Sequence, residues 1–184
     1  YPPRDLLLQD GFVRDCFEHA KRLGARLPDS LTVVFGCPLP AQDAALSVAS
    51  GGDAGQGDPQ PRMGVCNSLL AYRGGRMLAY YDKRLLPTYD VFDEDRYFIA
   101  GDRAVVIDVP VQSKPGTTTR VGLSICEDLW RGEDVGFASR YFDKPDPVRE
   151  LVAAGATVLV NPSASPFVLG KGRRHRELLR THAV

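Results

Sequence analysis

The sequence feature that most restricts the fold is a pair of β-rich runs, 65–72 and 76–81, on either side of Gly74-Gly75. Both runs are rich in residues that favour extended backbone, and a Gly-Gly pair between such runs is a strong signal for a tight turn. The pattern predicts a β-hairpin. A single hairpin is marginally stable in water, so we expect further strands or helices to cover it.

The rest of the chain supplies those elements. Further strands are predicted at 32–36, 104–109, 118–125 and 157–160. Helices are predicted at 147–154, at 171–180 and within 11–27, where the helix is expected to close near Gly24. The run 157–160 carries no charge, which is typical of a strand in the centre of a sheet. Strands mixed with amphipathic helices indicate a layered α/β fold.

Residues 41–62 contain no aromatic side chain and consist mainly of Ala, Gly, Ser, Asp, Gln and Pro. Strand patterns resume directly after them, so we interpret this stretch as a flexible loop inserted into the fold.

Charge and composition exclude several classes of function. The 23 Lys and Arg residues balance 23 Asp and Glu residues, so no net field attracts a nucleic acid or an anionic membrane. No apolar run approaches the roughly 20 residues of a membrane span. The three histidines are not spaced as metal ligands with acidic residues or cysteines, and no metal site is expected. Four cysteines without a C-x-x-C pair are typical of a reduced, cytoplasmic protein.

One cysteine differs from the others by its surroundings. The apolar run 121–125 ends at Cys126, and Glu127 and Asp128 follow at once. A thiol at the end of a strand can face a cleft while the backbone N–H groups beyond it bind an oxyanion. Neighbouring anions raise a thiol's pKa, so a nucleophilic Cys126 needs a base or a cation. Lys83, at the end of the hairpin's second strand, is the best candidate cation, although most single lysines are simply solvated.

Three separated motifs carry a family resemblance: the segment from Lys83 to Glu94, the segment Ile125-Cys126-Glu127-Asp128-Leu129-Trp130, and Asn161-Pro-Ser-Ala-Ser-Pro. Together they resemble the carbon–nitrogen hydrolase (nitrilase) superfamily, and within it the glutaminase domain of glutamine-dependent NAD⁺ synthetases. The resemblance covers the whole chain except the loop at 41–62. It implies an α/β fold, the nitrilase-like α-β-β-α sandwich.

The resemblance also implies a Glu–Lys–Cys triad. Cys126 is expected to attack the side-chain amide of glutamine and form a thioester, and Lys83 to stabilise the oxyanion. The residues expected to bind glutamine or line its pocket are Tyr89, Glu127, Ser165, Tyr1, Phe92 and Glu94. Of these, Glu127 would face the substrate's ammonium group, and Glu94 would hold Lys83 in place.

In this family the general-base glutamate lies on the first strand, upstream of the position of Tyr1. The resemblance therefore predicts that residues 1–184 form a partial glutaminase domain without its first strand, its base or the synthetase domain, and that this piece alone is inactive. No cofactor is expected for the glutaminase domain, and ATP and Mg²⁺ only for the synthetase domain. The expected partners are glutamine, that synthetase domain and further copies of the chain.

Two alternatives remain at this stage. One is a stand-alone amidase or carbamoylase from another nitrilase branch, against which Glu127 and the stretch 92–98 argue, because a substrate that is not an amino acid needs no counter-ion for an ammonium group. The other is a truncated, non-catalytic copy that serves only as an interaction module.

Overall fold

The computed structural model describes residues 3–9, 11–41, 64–89, 91–131, 141–164 and 169–183. The strands are β1 (Thr32–Pro40), β2 (Val65–Arg73), β3 (Arg76–Asp82), β4 (Val105–Pro110), β5 (Thr118–Leu123) and β6 (Val158–Val160). The helices are α1 (Phe12–Gly24), α2 (Pro147–Ala153) and α3 (Lys171–His182). Short 3₁₀ turns cover Arg4–Leu8, Glu94–Arg96 and Cys126–Leu129.

The first sheet has the order β1-β2-β3 and is antiparallel throughout. The predicted hairpin is confirmed: β2 and β3 pair with each other, and Arg73 lies opposite Arg76. Gly74 and Gly75 have φ angles of 55° and 75°, the left-handed backbone that a two-residue hairpin turn requires and that glycine adopts without strain.

The second sheet has the order β4-β5-β6, in which β4 and β5 are antiparallel and β5 and β6 are parallel. Among the described strands, the centre is therefore β5 rather than β6, and the prediction of a central strand at 157–160 is wrong for this part of the chain. The side chains agree, because Val158 is 46% exposed whereas Leu123 on β5 is fully buried. An uncharged run of three or four residues does not by itself distinguish a central strand from an edge strand.

The two sheets face each other, and α1 covers the outer face of the first. Alternate residues of β2 serve the two layers: Leu69 and Ala71 pack against the second sheet, whereas Leu70 and Tyr72 pack against α1. The helix ends as predicted at Gly24, where a Cβ atom would lie 2.2 Å from the ring of Tyr72.

The other two helices pack near the outer side of the second sheet, where Val148 of α2 and Leu178 of α3 contact Leu129. Asp146 caps α2 by accepting a hydrogen bond from the Arg149 N–H, and Pro147 occupies its first turn. Helix, sheet, sheet and helix thus form the predicted α-β-β-α sandwich. Two side chains of α3 also contact the end of the 3₁₀ turn that follows β5: His175 packs on Trp130 at 5.0 Å between ring centres, and His182 Nε2 lies 2.9 Å from the Leu129 carbonyl.

Strand β1 is longer than predicted and continues from Gly36 to Pro40. Proline interrupts a strand pattern in sequence, but it is tolerated on a strand at the edge of a sheet, as β1 is among the described strands. The segment 42–63, and with it the predicted loop, lies outside the described residues. Its two neighbours meet, since the Ala41 N–H donates to the Gly64 carbonyl at 2.9 Å. No helix in the described ranges is long and apolar enough to cross a membrane.

Candidate active site

Cys126 lies on a strained turn directly beyond β5. After Leu123 the chain stays extended through Ile125, and Cys126 then adopts a φ of +44° and begins a 3₁₀ turn. Only two non-glycine residues in the described part of the chain have a positive φ, and Cys126 is one of them. Its N–H donates to the Pro162 carbonyl at 3.0 Å, which fixes the turn to the segment after β6. Such strain on a nucleophile candidate is typical of functional turns that present a side chain to a cleft.

Lys83 follows β3 directly, and it is not the solvated lysine that its residue type alone would suggest. Its side chain is 1% exposed, and Nζ lies 2.7 and 2.6 Å from the two carboxylate oxygens of Glu94. The backbone on both sides is fixed as well, because the Lys83 N–H donates to Asn67 and the Lys83 carbonyl accepts from Gly101, each at 2.8 Å. The expected contact between Glu94 and Lys83 is present.

One cavity of about 410 Å³ brings these groups together. Its described lining includes Cys126, Lys83, Glu94, Phe92 and Ser163, and otherwise consists mainly of apolar side chains from both sheets. A mostly apolar cleft with a few convergent polar groups is the usual form of a site for a small molecule. This cavity, called the chamber below, is therefore lined by four of the predicted site residues: Cys126, Lys83, Glu94 and Phe92.

The electrostatic surroundings of the thiol leave it mainly protonated near neutral pH. Burial raises the pKa of Cys126 most strongly, the Lys83 ammonium lowers it, and the carboxylates of Glu127 and Glu94 raise it further. A hydrogen bond with the Ser163 side chain lowers it again. A thiol in this state becomes nucleophilic when a base removes its proton as it attacks.

Glu127 and Tyr89 contact each other beside the cavity. Glu127 is 4% exposed and accepts hydrogen bonds from the Tyr89 hydroxyl, at 2.9 and 3.0 Å, and from the Tyr141 hydroxyl at 2.8 Å. Neither Glu127 nor Tyr89 is among the described residues that line the chamber. The Tyr89 ring meets Phe92 edge-on, with 5.6 Å between ring centres, and Phe92 does line the chamber. The other two predicted residues, Tyr1 and Ser165, lie outside the described residues.

Sequence reasoning missed the residues that support these groups. Tyr141 had no sequence signal, because it follows the nucleophile turn by 12 residues without a motif. Ser163 and Asn161 lie within the motif Asn161-Pro-Ser-Ala-Ser-Pro, from which only Ser165 is predicted as a site residue. The Ser163 hydroxyl donates to Asn161 Oδ1 at 2.8 Å, and Asn161 Nδ2 donates to Ser124 Oγ at 3.0 Å.

Among the residues that the structure describes, no three His, Cys, Asp or Glu side chains are grouped as a metal site would need. The chemistry available to the described site is that of a thiol, a buried ammonium group and their carboxylate neighbours.

Comparison with known proteins places this site in context. No family model matches the chain. It is 33% identical over 184 residues, its full length, to the glutamine-dependent NAD(+) synthetase of Synechocystis sp., of which it covers 29%. It is 35% identical over 182 residues, 97% of its length, to the enzyme of the same name from Xanthomonas campestris pv. campestris, of which it covers 25%. The chain thus spans less than a third of these relatives.

Two solved structures show which fold this chain shares. The glutamine-dependent NAD⁺ synthetase of Acinetobacter baumannii, in complex with ADP, matches 98% of this chain and 27% of its own, with a TM-score of 0.69 and 24% identity. An amidase of the nitrilase superfamily from Nesterenkonia AN1 matches 100% of this chain and 54% of its own, with a TM-score of 0.62 and 19% identity. The nitrilase-like fold predicted from the sequence is confirmed. The chain is a homologue of glutamine-dependent NAD⁺ synthetases, and it is built on the fold of the nitrilase superfamily.

Proposed function

We propose that this chain is the glutaminase part of a glutamine-dependent NAD⁺ synthetase, and that it hydrolyses the side-chain amide of glutamine through a thioester on Cys126. The observation that carries the proposal is one cavity that holds a cysteine on a strained turn and a lysine with 1% exposure. The sequence similarity to synthetases over the full 184 residues supports the choice of glutamine.

In the proposed reaction a base takes the proton of Cys126 while Sγ forms a bond to the amide carbon of glutamine. The carbonyl oxygen becomes an oxyanion, which Lys83 Nζ and the backbone N–H after Cys126 stabilise. The base returns the proton to the amide nitrogen, and ammonia leaves as the thioester forms. Water then attacks the thioester, which releases glutamate and restores the thiol. We assign the base to a glutamate upstream of Tyr1, as the family resemblance implies.

The carboxylates near Cys126 in the described part of the chain already have other partners, which supports a general base that lies upstream of Tyr1. Glu94 is paired with Lys83, and Glu127 accepts hydrogen bonds from two tyrosines. Each already has a role that its ionised form serves. We therefore propose that residues 1–184 alone have negligible glutaminase activity. Full turnover by the purified 184-residue chain would contradict this.

We propose that glutamine binds between the chamber and the Tyr89–Glu127 pair, where Glu127 supplies negative charge for the substrate's ammonium group. Phe92 connects the two places, because it lines the chamber and contacts the Tyr89 ring. We also assign Ser165 and Tyr1 to this site on the family resemblance, since both lie outside the described residues.

The coverage of less than a third of each synthetase relative supports a longer parent protein. We propose that its synthetase domain uses ATP and Mg²⁺ to amidate deamido-NAD⁺ with the ammonia released here, and that the parent protein forms a homo-oligomer. We propose a cytoplasmic location, which is supported by the absence of a disulfide among the four cysteines, since disulfides are rare in a reducing compartment.

An electrophilic glutamine analogue tests the chemistry in the full-length protein. We expect one covalent adduct, located by peptide mass spectrometry on Cys126 and absent from Cys126→Ala. The matched control is Cys16→Ala, which removes a partly buried thiol on α1 and should leave the adduct unchanged. Undiminished labelling of Cys126→Ala would refute the proposal.

The structural likeness to the Nesterenkonia amidase favours one alternative, an amidase that acts on simple amides. Turnover of glutamine compared with that of short aliphatic amides separates the two functions. We expect glutamine to have the higher kcat/KM, because Glu127 places a negative charge beside the chamber. A preference for the aliphatic amides would favour the amidase.

A further inference from the structure

A second carboxylate on the nucleophile turn, Asp128, is fully buried and does not line the chamber. Its Oδ2 atom accepts hydrogen bonds from the Tyr81 hydroxyl at 2.7 Å and the Ile125 N–H at 2.8 Å. Its Oδ1 atom accepts from the Leu85 N–H at 2.9 Å and the Arg84 N–H at 3.2 Å. Four donors thus converge on one carboxylate.

These four donors come from the two segments that carry the site. Arg84 and Leu85 are the residues directly after Lys83, and Tyr81 precedes it by two positions on β3. Ile125 is the residue directly before Cys126, and Asp128 itself belongs to the turn that Cys126 begins. The carboxylate therefore joins the backbone beside the lysine to the backbone beside the cysteine, across the space between the two sheets.

A carboxylate in such a place is costly unless it is fully bonded. Burial raises the pKa of Asp128, whereas the donors from Ile125, Tyr81 and Leu85 lower it. Two backbone N–H groups on one oxygen, and a hydroxyl with a third N–H on the other, are an arrangement that an amide or an alkyl group of similar size cannot reproduce. The bond pattern depends on both oxygens being acceptors.

From this geometry we propose that Asp128 is a positioning residue, which sets the separation and orientation of Lys83 Nζ and Cys126 Sγ by tying together the backbones next to them. It contacts neither reacting group through its side chain and is not a catalytic residue. The inference deepens the proposed glutaminase and rests on it wherever glutamine turnover is the measurement.

Asp128→Asn in the full-length protein is the sharpest variant, since it keeps the size of the side chain but replaces one acceptor oxygen with an NH₂ group, which can only donate. The matched control is Glu150→Gln. Glu150 binds the Arg84 side chain at 2.7 and 3.1 Å and thus supports the same segment without involving Asp128.

Two measurements are made on each folded variant. The first is the rate at which iodoacetamide alkylates Cys126, followed by peptide mass spectrometry; this rate depends on the nearness of Lys83, which favours the thiolate, and it does not require glutamine turnover. The second is the steady-state hydrolysis of glutamine. For Asp128→Asn we expect alkylation about fivefold slower, and a kcat about 10- to 100-fold lower with KM changed less than about threefold, because displacements near 1 Å cost that much in aligned reactions. Glu150→Gln should keep the wild-type alkylation rate and kcat.

A folded Asp128→Asn protein that keeps the wild-type alkylation rate would overturn the proposal and leave Asp128 a purely structural residue. If the wild-type protein is alkylated normally but never hydrolyses glutamine, the proposed function fails while the alkylation comparison still decides the role of Asp128. If Asp128→Asn does not fold, Tyr81→Phe decides: it removes one of the four donors and should slow alkylation about twofold. An unchanged rate in Tyr81→Phe would then count against the proposal.

Discussion

Lys83 and Cys126 occupy equivalent places, each just beyond the end of a strand and one in each sheet, but their environments differ. Lys83 is not among the described residues with a positive φ, and its side chain has 1% exposure and a charge that is matched by Glu94. Cys126 has a left-handed backbone at φ +44°, and its side chain is only partly buried.

The cost of building the site is therefore divided between the two segments. In the lysine segment, burial of the ammonium group costs desolvation free energy, which the Glu94 carboxylate offsets. In the cysteine turn, the strained backbone costs conformational free energy, which the hydrogen bonds of the turn to Pro162 and Asp128 offset. Removing the partner of a buried charge destabilises the folded protein, whereas the energetic cost of a strained backbone depends on the residue type that adopts it. Substitutions on the two sides should therefore fail in different ways.

The largest effect is expected on the lysine side. Lys83→Met removes an oxyanion donor and should lower kcat for glutamine about 10³-fold. It also leaves Glu94 buried without its cation, and it should cost about 3–5 kcal/mol in the free energy of unfolding. Steady-state kinetics and urea denaturation measure the two losses.

The double variant Lys83→Met/Glu94→Gln separates the loss of activity from the loss of stability, because it removes both charges of the ion pair. Most of the lost unfolding free energy should return, while activity stays low. A double variant that is as unstable as the single one would show that the ion pair is not the source of the instability.

The next effect concerns the charge around the thiol. Glu127 raises the pKa of Cys126, so Glu127→Gln should lower that pKa and move the pH midpoint of iodoacetamide labelling to lower pH. Because only the thiolate reacts, labelling below the midpoint should become faster. Lys83→Met should move the midpoint to higher pH, since the ammonium lowers the pKa of the thiol. Shifts of the same sign in both variants would contradict this account of the electrostatics.

A smaller effect isolates the strain in the cysteine turn. Cys126→Gly should be more stable than Cys126→Ala by about 1 kcal/mol, because glycine adopts a positive φ without the clash of a Cβ atom. The matched comparison is Cys66 in β2, where glycine should be less stable than alanine by about 0.5–1 kcal/mol. Denaturation of all four variants measures the difference. The same order of stability at both sites would rule out strain at Cys126.

The smallest effect is expected at Tyr89, where the segment that follows Lys83 contacts the turn that begins at Cys126. Tyr89→Phe removes one hydroxyl from Glu127 and leaves the Tyr141 hydroxyl in place. We expect KM for glutamine to rise about threefold, with most of the effect in KM rather than kcat, because the net value of one hydrogen bond is about 1 kcal/mol. Tyr141→Phe, on the other side of the same carboxylate, gives the comparison. A kcat effect larger than the KM effect would place Tyr89 closer to the reacting atoms than we infer.

Local signals predicted the hairpin and most element ends. Gly74-Gly75 fixes the turn through backbone freedom alone, and the Asp146-Pro147 start of α2 is satisfied within its own first turn. The prediction failed where tertiary context decides. Strand β1 continues through Pro38 to Pro40, and β6 has one described neighbour, because the position of a strand in a sheet depends on partners distant in sequence.

The site shows the same division. Cys126 was recognisable from a strand that ends at a thiol followed by acids, whereas Lys83 became credible only through the family resemblance, since its burial depends on Glu94 and the opposing sheet. Two adjacent acids directly after an apolar strand are unusual, but Glu127 and Asp128 contact different partners, and only the structure distinguishes them. Tyr141 and Asn161 act through contacts with residues 14 and 37 positions away, which no local pattern encodes.

The hydrogen bonds that Asp128 accepts also affect how easily the protein opens locally. Because Asp128 accepts the amide hydrogens of Ile125, Arg84 and Leu85 inside the core, we expect those hydrogens to exchange with solvent slowly, through openings that separate the two sheets. The geometry of the chamber then belongs to the same cooperative unit as the sandwich itself, rather than to the readily opened surface that often carries binding loops. In the wild-type protein we therefore expect the lysine–cysteine alignment to be lost together with global unfolding rather than before it.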